Sequence, residues 1–199
     1  VVNDRWGKET RSKHGGYYTT EYDLIGDTLN TGKIEHLWEE SRGIGTSYGY
    51  NKLETTAHYF SGKQLIDLLI EKVSGGGNLL LNVGPDADGL IPVVMEERLL
   101  AIGEWPAVNG EAIYGTTAWN ERPKKDDQGI YFTKKGNDIY VLCTEWPQGD
   151  IVVDGLPKSV KKVGMLGTDI PVRFKAAKGQ LRITPPDISP ATAPCAHAW

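Results

Sequence analysis

Ser61-Gly62-Lys63-Gln64-Leu65-Ile66-Asp67-Leu68-Leu69-Ile70-Glu71-Lys72-Val73-Ser74-Gly75-Gly76-Gly77-Asn78-Leu79-Leu80-Leu81-Asn82-Val83-Gly84-Pro85 is the stretch from which the fold can be read. Ser61 and Gln64 have the spacing of a capping box, in which the Ser hydroxyl accepts from the N3 amide and the Gln reaches back. Leu65, Ile66, Leu69, Ile70 and Val73 recur at helical spacing. Gly75-Gly76-Gly77 ends that helix, because glycine enters the left-handed cap without a Cβ penalty. Asn78 to Val83 is then nearly continuous in apolar residues. A short, glycine-flanked run that is apolar on both faces reads as a buried parallel strand. Gly84-Pro85-Asp86-Ala87-Asp88-Gly89 turns the chain, and Pro92 can open a second helix with Glu96 and Glu97 near its positive end. Leu99, Leu100 and Ile102 supply the buried stripe of that helix. Helix, strand, helix of this kind belongs to a βα-repeat architecture.

Upstream of this stretch, Val1–Asn3, Tyr17–Tyr22 and Thr46–Tyr50 have strand character and are separated by long polar connections. Downstream the grammar changes. Residues 119–127 include the polar run Asn120-Glu121-Arg122-Pro123-Lys124-Lys125-Asp126-Asp127, which reads as a linker. Short strand candidates follow at Gly129–Thr133, Asp138–Thr144, Asp150–Val153, Lys161–Leu166, Val172–Lys175 and Gln180–Ile183. Turn residues punctuate them at even spacing, the pattern of an all-β sandwich. The expected organisation is an α/β part over residues 1–118, a linker over 119–127 and a β-sandwich over 128–199. Val1-Val2-Asn3-Asp4-Arg5 reads as the finish of a strand without its beginning, so the sequence is expected to be a piece of a longer protein.

Of the 199 residues, 22 are Lys or Arg and 26 are Asp or Glu, giving a formal charge of −4. That balance disfavours a nucleic-acid partner, which calls for a basic excess or stripe. No apolar run reaches the length of about 18 residues that a membrane-spanning helix needs. Cys143 and Cys195 allow at most one disulfide and exclude an all-cysteine zinc site. His14, His36, His58 and His197 are far apart, and no H-E-x-x-H is present, so a zinc hydrolase is disfavoured. Gly43-Ile44-Gly45-Thr46-Ser47-Tyr48-Gly49 has its third glycine misplaced for a dinucleotide loop. Asp86-x-Asp88-Gly89 has its glycine misplaced for an EF-hand and reads as a turn. The aromatic residues are skewed toward Tyr and Trp, 9 and 6 against 3 Phe. Their flat apolar faces with a polar tip suit sugar binding, although composition alone favours ordinary core and interface use.

What remains is carboxylate chemistry. Glu21 lies among aromatic residues in Tyr17-Tyr18-Thr19-Thr20-Glu21-Tyr22. Partial desolvation would raise its pKa and let it donate a proton, as glycosidase acids do; the alternative is a solvated strand-end glutamate. Arg5 ends the first strand fragment, and in a βα barrel the C-terminal ends of strands face the site. Its guanidinium could bind a ring hydroxyl or orient a carboxylate, or form only a structural ion pair. Trp38, Tyr48 and Tyr50 could stack on a sugar or fill the barrel mouth, Tyr48 being the better candidate for exposure. Glu39 and Glu40 are rival carboxylates, or members of a solvated acidic turn.

Several segments in order resemble the α-L-fucosidases of glycoside hydrolase family 29. They are Asn3-Asp4-Arg5-Trp6-Gly7, His14-Gly15-Gly16-Tyr17-Tyr18-Thr19-Thr20-Glu21, Trp38-Glu39, Ser41-Arg42-Gly43-Ile44-Gly45-Thr46-Ser47-Tyr48-Gly49-Tyr50, Gly75–Pro85, Asp88-Gly89, Glu97-Arg98-Leu99-Leu100 and Asn109–Thr116. The resemblance covers residues 1–120 well and the β part in kind and position. It implies an irregular (β/α) barrel followed by a β-sandwich, and hydrolysis of terminal α-L-fucosyl groups with retention of configuration. It places the acid/base on Glu21, with Glu39 as runner-up, the fucose-binding arginine on Arg5, and an aromatic contact near the sugar methyl on Tyr48. Trp38 is a further expected substrate contact.

The family's nucleophile is an aspartate on an earlier barrel strand, and no matching segment is present; Asp4 belongs to a different motif. The 199 residues alone are therefore expected to be inactive. No metal or organic cofactor is expected, because two carboxylates supply acid, base and nucleophile. The expected partner is a fucosylated glycan, with no nucleic acid and no membrane, in a secreted, periplasmic or lysosomal setting. The rival reading is a non-catalytic, fucosidase-like carbohydrate-binding protein.

Overall fold

The computed structural model describes residues 2–7, 9–10, 13–22, 36–119, 129–156, 160–177 and 179–188. The chain divides into two compact units, Val1–Gly103 and Glu104–Trp199. Among the described residues, no helix is long and apolar enough to cross a membrane.

The first unit is built on a parallel sheet of β1 (Tyr18–Glu21), β2 (Trp38–Gly43) and β3 (Gly77–Asn82), in that order. Asn3 extends it by a parallel bridge to Tyr17. Thr19 stands opposite Glu39 and Glu39 opposite Asn78; Glu21 stands opposite Ser41 and Ser41 opposite Leu80. Side chains alternate across a strand, so this register places Thr19, Glu21, Glu39, Ser41 and Leu80 on one face and Thr20, Trp38, Glu40 and Leu81 on the other.

Helix α1 (Gly62–Ser74) lies between β2 and β3 in the chain. The capping box forms as its spacing predicts: Gln64 N donates to Ser61 Oγ at 3.2 Å and Ser61 N to Gln64 Oε1 at 2.8 Å. Leu65, Ile66 and Ile70 are buried. The left-handed residue that ends the helix is Gly76, at φ +80°, whose amide donates to Val73 O at 2.9 Å. Gly77 is needed for a different reason. The Trp38 indole lies on it so closely that a Cβ there would stand 2.5 Å from ring carbons. Helix α2 (Val93–Asn109) begins one residue after Pro92, whose carbonyl accepts from Met95 N and Glu96 N at 2.8 and 3.1 Å. Ile44, Leu65 and Met95 form the buried centre of the unit, with Leu81, Leu99 and Ile102 packed around them.

One sequence expectation and one alternative reading fail here. Thr46–Tyr50 is not a strand but part of a closed loop. Glu40 is not in a solvated acidic turn; it lies inside β2, fully buried, and Thr20 Oγ1 donates to its carboxylate. The turn at Asp86 forms as read, with Asp86 Oδ1 accepting from Asp88 N and Leu90 N, each at 2.9 Å.

The second unit carries two antiparallel sheets. One is β4 (Thr117–Ala118), β5 (Ile130–Lys135) and β6 (Asp138–Cys143); the other runs in the order β7 (Ile151–Asp154), β9 (Gln180–Thr184), β8 (Arg173–Ala177). Ile130 and Phe132 from the first sheet meet Ile151, Val153, Leu181 and Ile183 from the second in one core. Those pairs are two residues apart in each strand, as a half-buried strand requires. Lys161–Leu166, expected as a strand, forms none; only Val163 of that segment packs on the core.

Residues of the expected α/β part also belong to this unit. Thr133 Oγ1 donates to Ala112 O at 2.7 Å and Tyr140 Oη to Glu111 Oε1 at 2.7 Å. Trp119, at the start of the expected linker, is buried against Phe132 in the core. Residues 120–128, the rest of that linker, lie outside the described residues.

Candidate active site

Arg5 follows the strand fragment at Asn3, and its amide donates to Asn3 Oδ1 at 3.1 Å. Its side chain runs along β1 and uses three donors at once. Nε donates to Thr19 Oγ1 at 2.8 Å, one terminal nitrogen to Thr20 O at 2.9 Å, and the other to Glu21 Oε2 at 2.8 Å. Arg5 and Glu21 keep 26% and 32% of their side-chain surface open, so the pair is reachable by a ligand.

Behind it, Asp4 is fully buried and accepts from Thr19 N at 2.9 Å and Thr19 Oγ1 at 2.6 Å. A buried carboxylate must be satisfied by hydrogen bonds to be tolerated. Here those bonds come from β1, on the strand edge away from β2, and they aim the Thr19 hydroxyl at Arg5.

Glu39 shares the sheet face of Thr19 and Glu21, one strand over. Burial pushes its pKa above the ordinary carboxylate value, and the nearby Arg5 charge pulls it back in part. Two carboxylates therefore flank one guanidinium. Glu21 is held directly by it; Glu39 feels it through space.

Tyr48 reaches the same face from the loop after β2. Its hydroxyl lies 3.0 Å from Ser41 Oγ, the cross-strand neighbour of Glu21. Its carbonyl accepts from Asn82 Nδ2, at the end of β3, at 2.7 Å. The residue is 40% exposed, and its ring meets Tyr22 edge-on at 6.4 Å between centroids. Arg5, Glu21, Glu39 and Tyr48 thus share one face of the parallel sheet, with Glu21 and Tyr48 toward its C-terminal strand ends, where βα barrels hold their chemistry, and Glu39 lower, near the start of β2. Tyr50, weighed with them, is exposed in the same loop.

Trp38 does not join this group. It is 5% exposed, on the opposite face of β2 from Glu39, with its indole N–H donating to Gly75 O at 3.3 Å. The alternation along β2 turns it toward Gly77 and away from the face that carries Glu21 and Glu39.

Tyr22 was not read from the sequence. It follows Glu21 directly and has φ +50°, a left-handed conformation that an aromatic residue adopts at a cost of about 1–3 kcal/mol. Its hydroxyl accepts from Gly43 N at 3.1 Å, and the Arg42 guanidinium lies 5.3 Å from its ring centre. The only sequence signal was its position next to a candidate acid. Among the described residues, no group of three or more His, Cys, Asp or Glu side chains could hold a metal ion.

Residues 1–111 match the family model described as alpha-L-fucosidase, and residues 124–199 the model for the alpha-L-fucosidase C-terminal domain. The chain belongs to the α-L-fucosidase family. Its whole length is 37% identical to an alpha-L-fucosidase from Branchiostoma floridae, of which it covers 44%, and 34% identical to human tissue alpha-L-fucosidase, of which it covers 43%. The chain spans less than half the length of these relatives. A Thermotoga maritima alpha-fucosidase structure, solved with a mechanism-based inhibitor, superposes with a TM-score of 0.75 at 42% identity, over 92% of this chain and 41% of that one. A fucosidase of the same family from Bacteroides thetaiotaomicron, described as a trapped covalent intermediate with 2-fluoro-fucosyl fluoride, superposes with a TM-score of 0.74 at 25% identity, over 87% of this chain and 40% of that one. The architecture is accordingly the C-terminal part of the fucosidase barrel followed by the family's β domain.

Proposed function

We propose that this chain carries the acid/base half of a retaining α-L-fucosidase. The observation that carries the reading is the place of Glu21, at the end of β1 on the open face of a parallel sheet and beside Arg5, in a chain of this family. In the first step, an aspartate from the part of the enzyme outside these 199 residues attacks the anomeric carbon. Glu21, protonated, gives its proton to the departing glycosidic oxygen. In the second step Glu21 takes a proton from water, which displaces the aspartate and releases fucose. Retention requires the two carboxyl groups to stand about 5–5.5 Å apart. The covalent intermediate trapped in the Bacteroides relative is the species such a mechanism forms.

Arg5 holds Glu21 in place and offers hydrogen bonds to the sugar, and Tyr48 supplies an apolar face for the ring and its methyl group. The substrate is a fucosylated glycan or glycoconjugate. The setting is one where glycans are degraded: secreted, periplasmic or lysosomal.

One observation favours a second assignment of the acid. Burial raises the pKa of Glu39, which shares the sheet face of Glu21. Glu21→Gln and Glu39→Gln in the full-length enzyme separate the two. The variant that removes the acid loses about 10²–10⁴-fold on natural glycans and far less on aryl α-L-fucosides whose leaving groups need no proton. Equal loss on both substrates, or none, in Glu21→Gln refutes its acid role. Glycan binding without turnover in the unmodified full-length protein would favour the carbohydrate-binding reading.

A further inference from the structure

The chain leaves β2 at Gly43 and comes back to the same place sixteen residues on. Gly45 and Tyr59 form an isolated antiparallel bridge. Thr46 N donates to His58 O at 3.0 Å and Phe60 N to Ile44 O at 3.2 Å. A surface loop whose ends meet in this way is packed by its own side chains. The side chain that packs this one is Glu54.

Glu54 Oε1 accepts from Thr46 Oγ1 at 2.6 Å and from Ser47 N at 2.9 Å. Thr46 and Ser47 are the two residues immediately before Tyr48. Burial pushes the Glu54 pKa up, but the hydrogen bonds from Thr46 and Ser47 outweigh it and hold the carboxyl below its ordinary value. The loop therefore binds the charged form. The Tyr59 phenol faces the same carboxylate, and burial together with the Glu54 charge raises its pKa. Asn51 adds a bond from Nδ2 to Ser47 Oγ at 3.2 Å. Hydrogen bonds to an ionised acceptor are about twice as strong as neutral ones, so Glu54 is the strongest tie on the two residues that deliver Tyr48.

We propose that Glu54 is the positioning residue of the sugar-binding loop: its carboxylate fixes the Thr46-Ser47 turn that presents Tyr48 beside Glu21, and thereby sets how tightly the fucosyl ring is held. This rests on Tyr48 being a sugar contact. Glu54 touches neither sugar nor reacting atoms and acts through Tyr48 alone.

The test uses the full-length enzyme and two readouts. In native-state hydrogen exchange, Glu54→Ala lowers protection of the Ser47 amide at least tenfold while β3 amides keep theirs. Glu54→Gln retains an oxygen for both donors and loses less. In kinetics on an aryl α-L-fucoside, Glu54→Ala raises KM about tenfold, equivalent to about 1.4 kcal/mol, with kcat within about threefold. In a Tyr48→Ala background the same change adds nothing, because energies couple when one residue acts through another. Unchanged Ser47 protection in Glu54→Ala, or a full KM penalty retained in the Tyr48→Ala background, overturns the proposal. If Glu54→Ala fails to fold, Thr46→Ala, which removes one of the two donors, must give a smaller shift in the same direction, and no shift overturns it too. Lost protection with KM unmoved in both Glu54→Ala and Tyr48→Ala withdraws the sugar contact from Tyr48, a failure of the functional reading distinct from failure of the tie.

Discussion

Gly77→Ala adds one methyl group at the foot of β3, where the Trp38 ring leaves no room for it. An ideal Cβ would stand 2.5 Å from Trp38 Cε2 and Cζ2 and 2.7 Å from Cδ2. Carbon atoms pack at about 3.5–4.0 Å, so the indole must retreat by roughly 1 Å. It has nowhere easy to go, being 5% exposed and tied to Gly75 O. Overpacking of this kind costs about 1–3 kcal/mol, and weakening the indole hydrogen bond adds about 0.5–1 kcal/mol. Gly77 has no positive φ, so alanine fits its backbone, and the reduced freedom of the unfolded chain returns about 0.4–1 kcal/mol. The net expectation is a loss of about 1–3 kcal/mol.

Gly103→Ala is the control. Gly103 lies exposed in α2 with nothing within 4 Å of a new Cβ, and there the change should stabilise by about 0.5–1 kcal/mol. Urea unfolding of both variants reads the difference as opposite shifts in midpoint at constant slope. Trp38→Phe removes the ring atoms that clash, so combining it with Gly77→Ala should recover part of the loss. A Gly77→Ala variant as stable as Gly103→Ala would refute the packing argument.

Two pH-linked predictions accompany those for Glu21 and Glu54. Glu39 has a folded pKa raised above 4.5, chiefly by burial. The folded state thus prefers its proton, and the cost of ionising it appears as pH rises through the raised value. Glu39→Gln should unfold at a higher temperature than the parent at about pH 7 and at the same temperature at about pH 4; no gain near neutrality would show that burial is not the dominant influence. In the β unit, the hydrogen bond to Glu111, followed by burial, pushes the Tyr140 phenol up to about 12. Its contribution is present below the unfolded value of about 10 and is lost as pH rises through the folded one. Tyr140→Phe should cost at most about 1 kcal/mol at neutral pH, because Glu111 is exposed. Absorbance titration of the parent should show a tyrosine ionising near 12 that the variant lacks, and coincident curves would refute the assignment.

Helix α1 and β3 were legible in the sequence because their cues are local. Ser61 and Gln64 cap each other within four residues, and the glycine-flanked Leu79-Leu80-Leu81 declares a strand by itself, although Leu80 is exposed and the run is not buried on both faces as read. Strand β2 was not, because Trp38-Glu39-Glu40-Ser41-Arg42-Gly43 reads as polar surface. Its charges meet residues distant in sequence, Thr20 for Glu40 and the rings of Tyr22 and Phe60 for Arg42. The same distinction separates the site residues. Glu21 and Arg5 stand out by their setting and by the family resemblance, and the structure brings the two together at 2.8 Å. Trp38 was misjudged because its facing depends on the register of a strand that the pattern did not reveal. Tyr22 carried no signal beyond its place next to Glu21, and Glu54 carried none, since its contacts with Thr46 and Ser47 exist only once the loop has closed.

The bond from Gly43 N to the Tyr22 hydroxyl joins the residue after Glu21 to the exit of β2, from which the Tyr48 loop departs. The proposed proton donor, Glu21, and the proposed sugar platform, Tyr48, therefore hang from a common bracket. A side chain added at Gly43 would press on Ser47 O, the Tyr22 hydroxyl and the Tyr48 backbone at the same instant. In a directed-evolution campaign, substitutions chosen separately for leaving-group range and for ring recognition will show epistasis. Libraries that vary residues 21–22 and 43–48 together will reach specificities that sequential rounds miss.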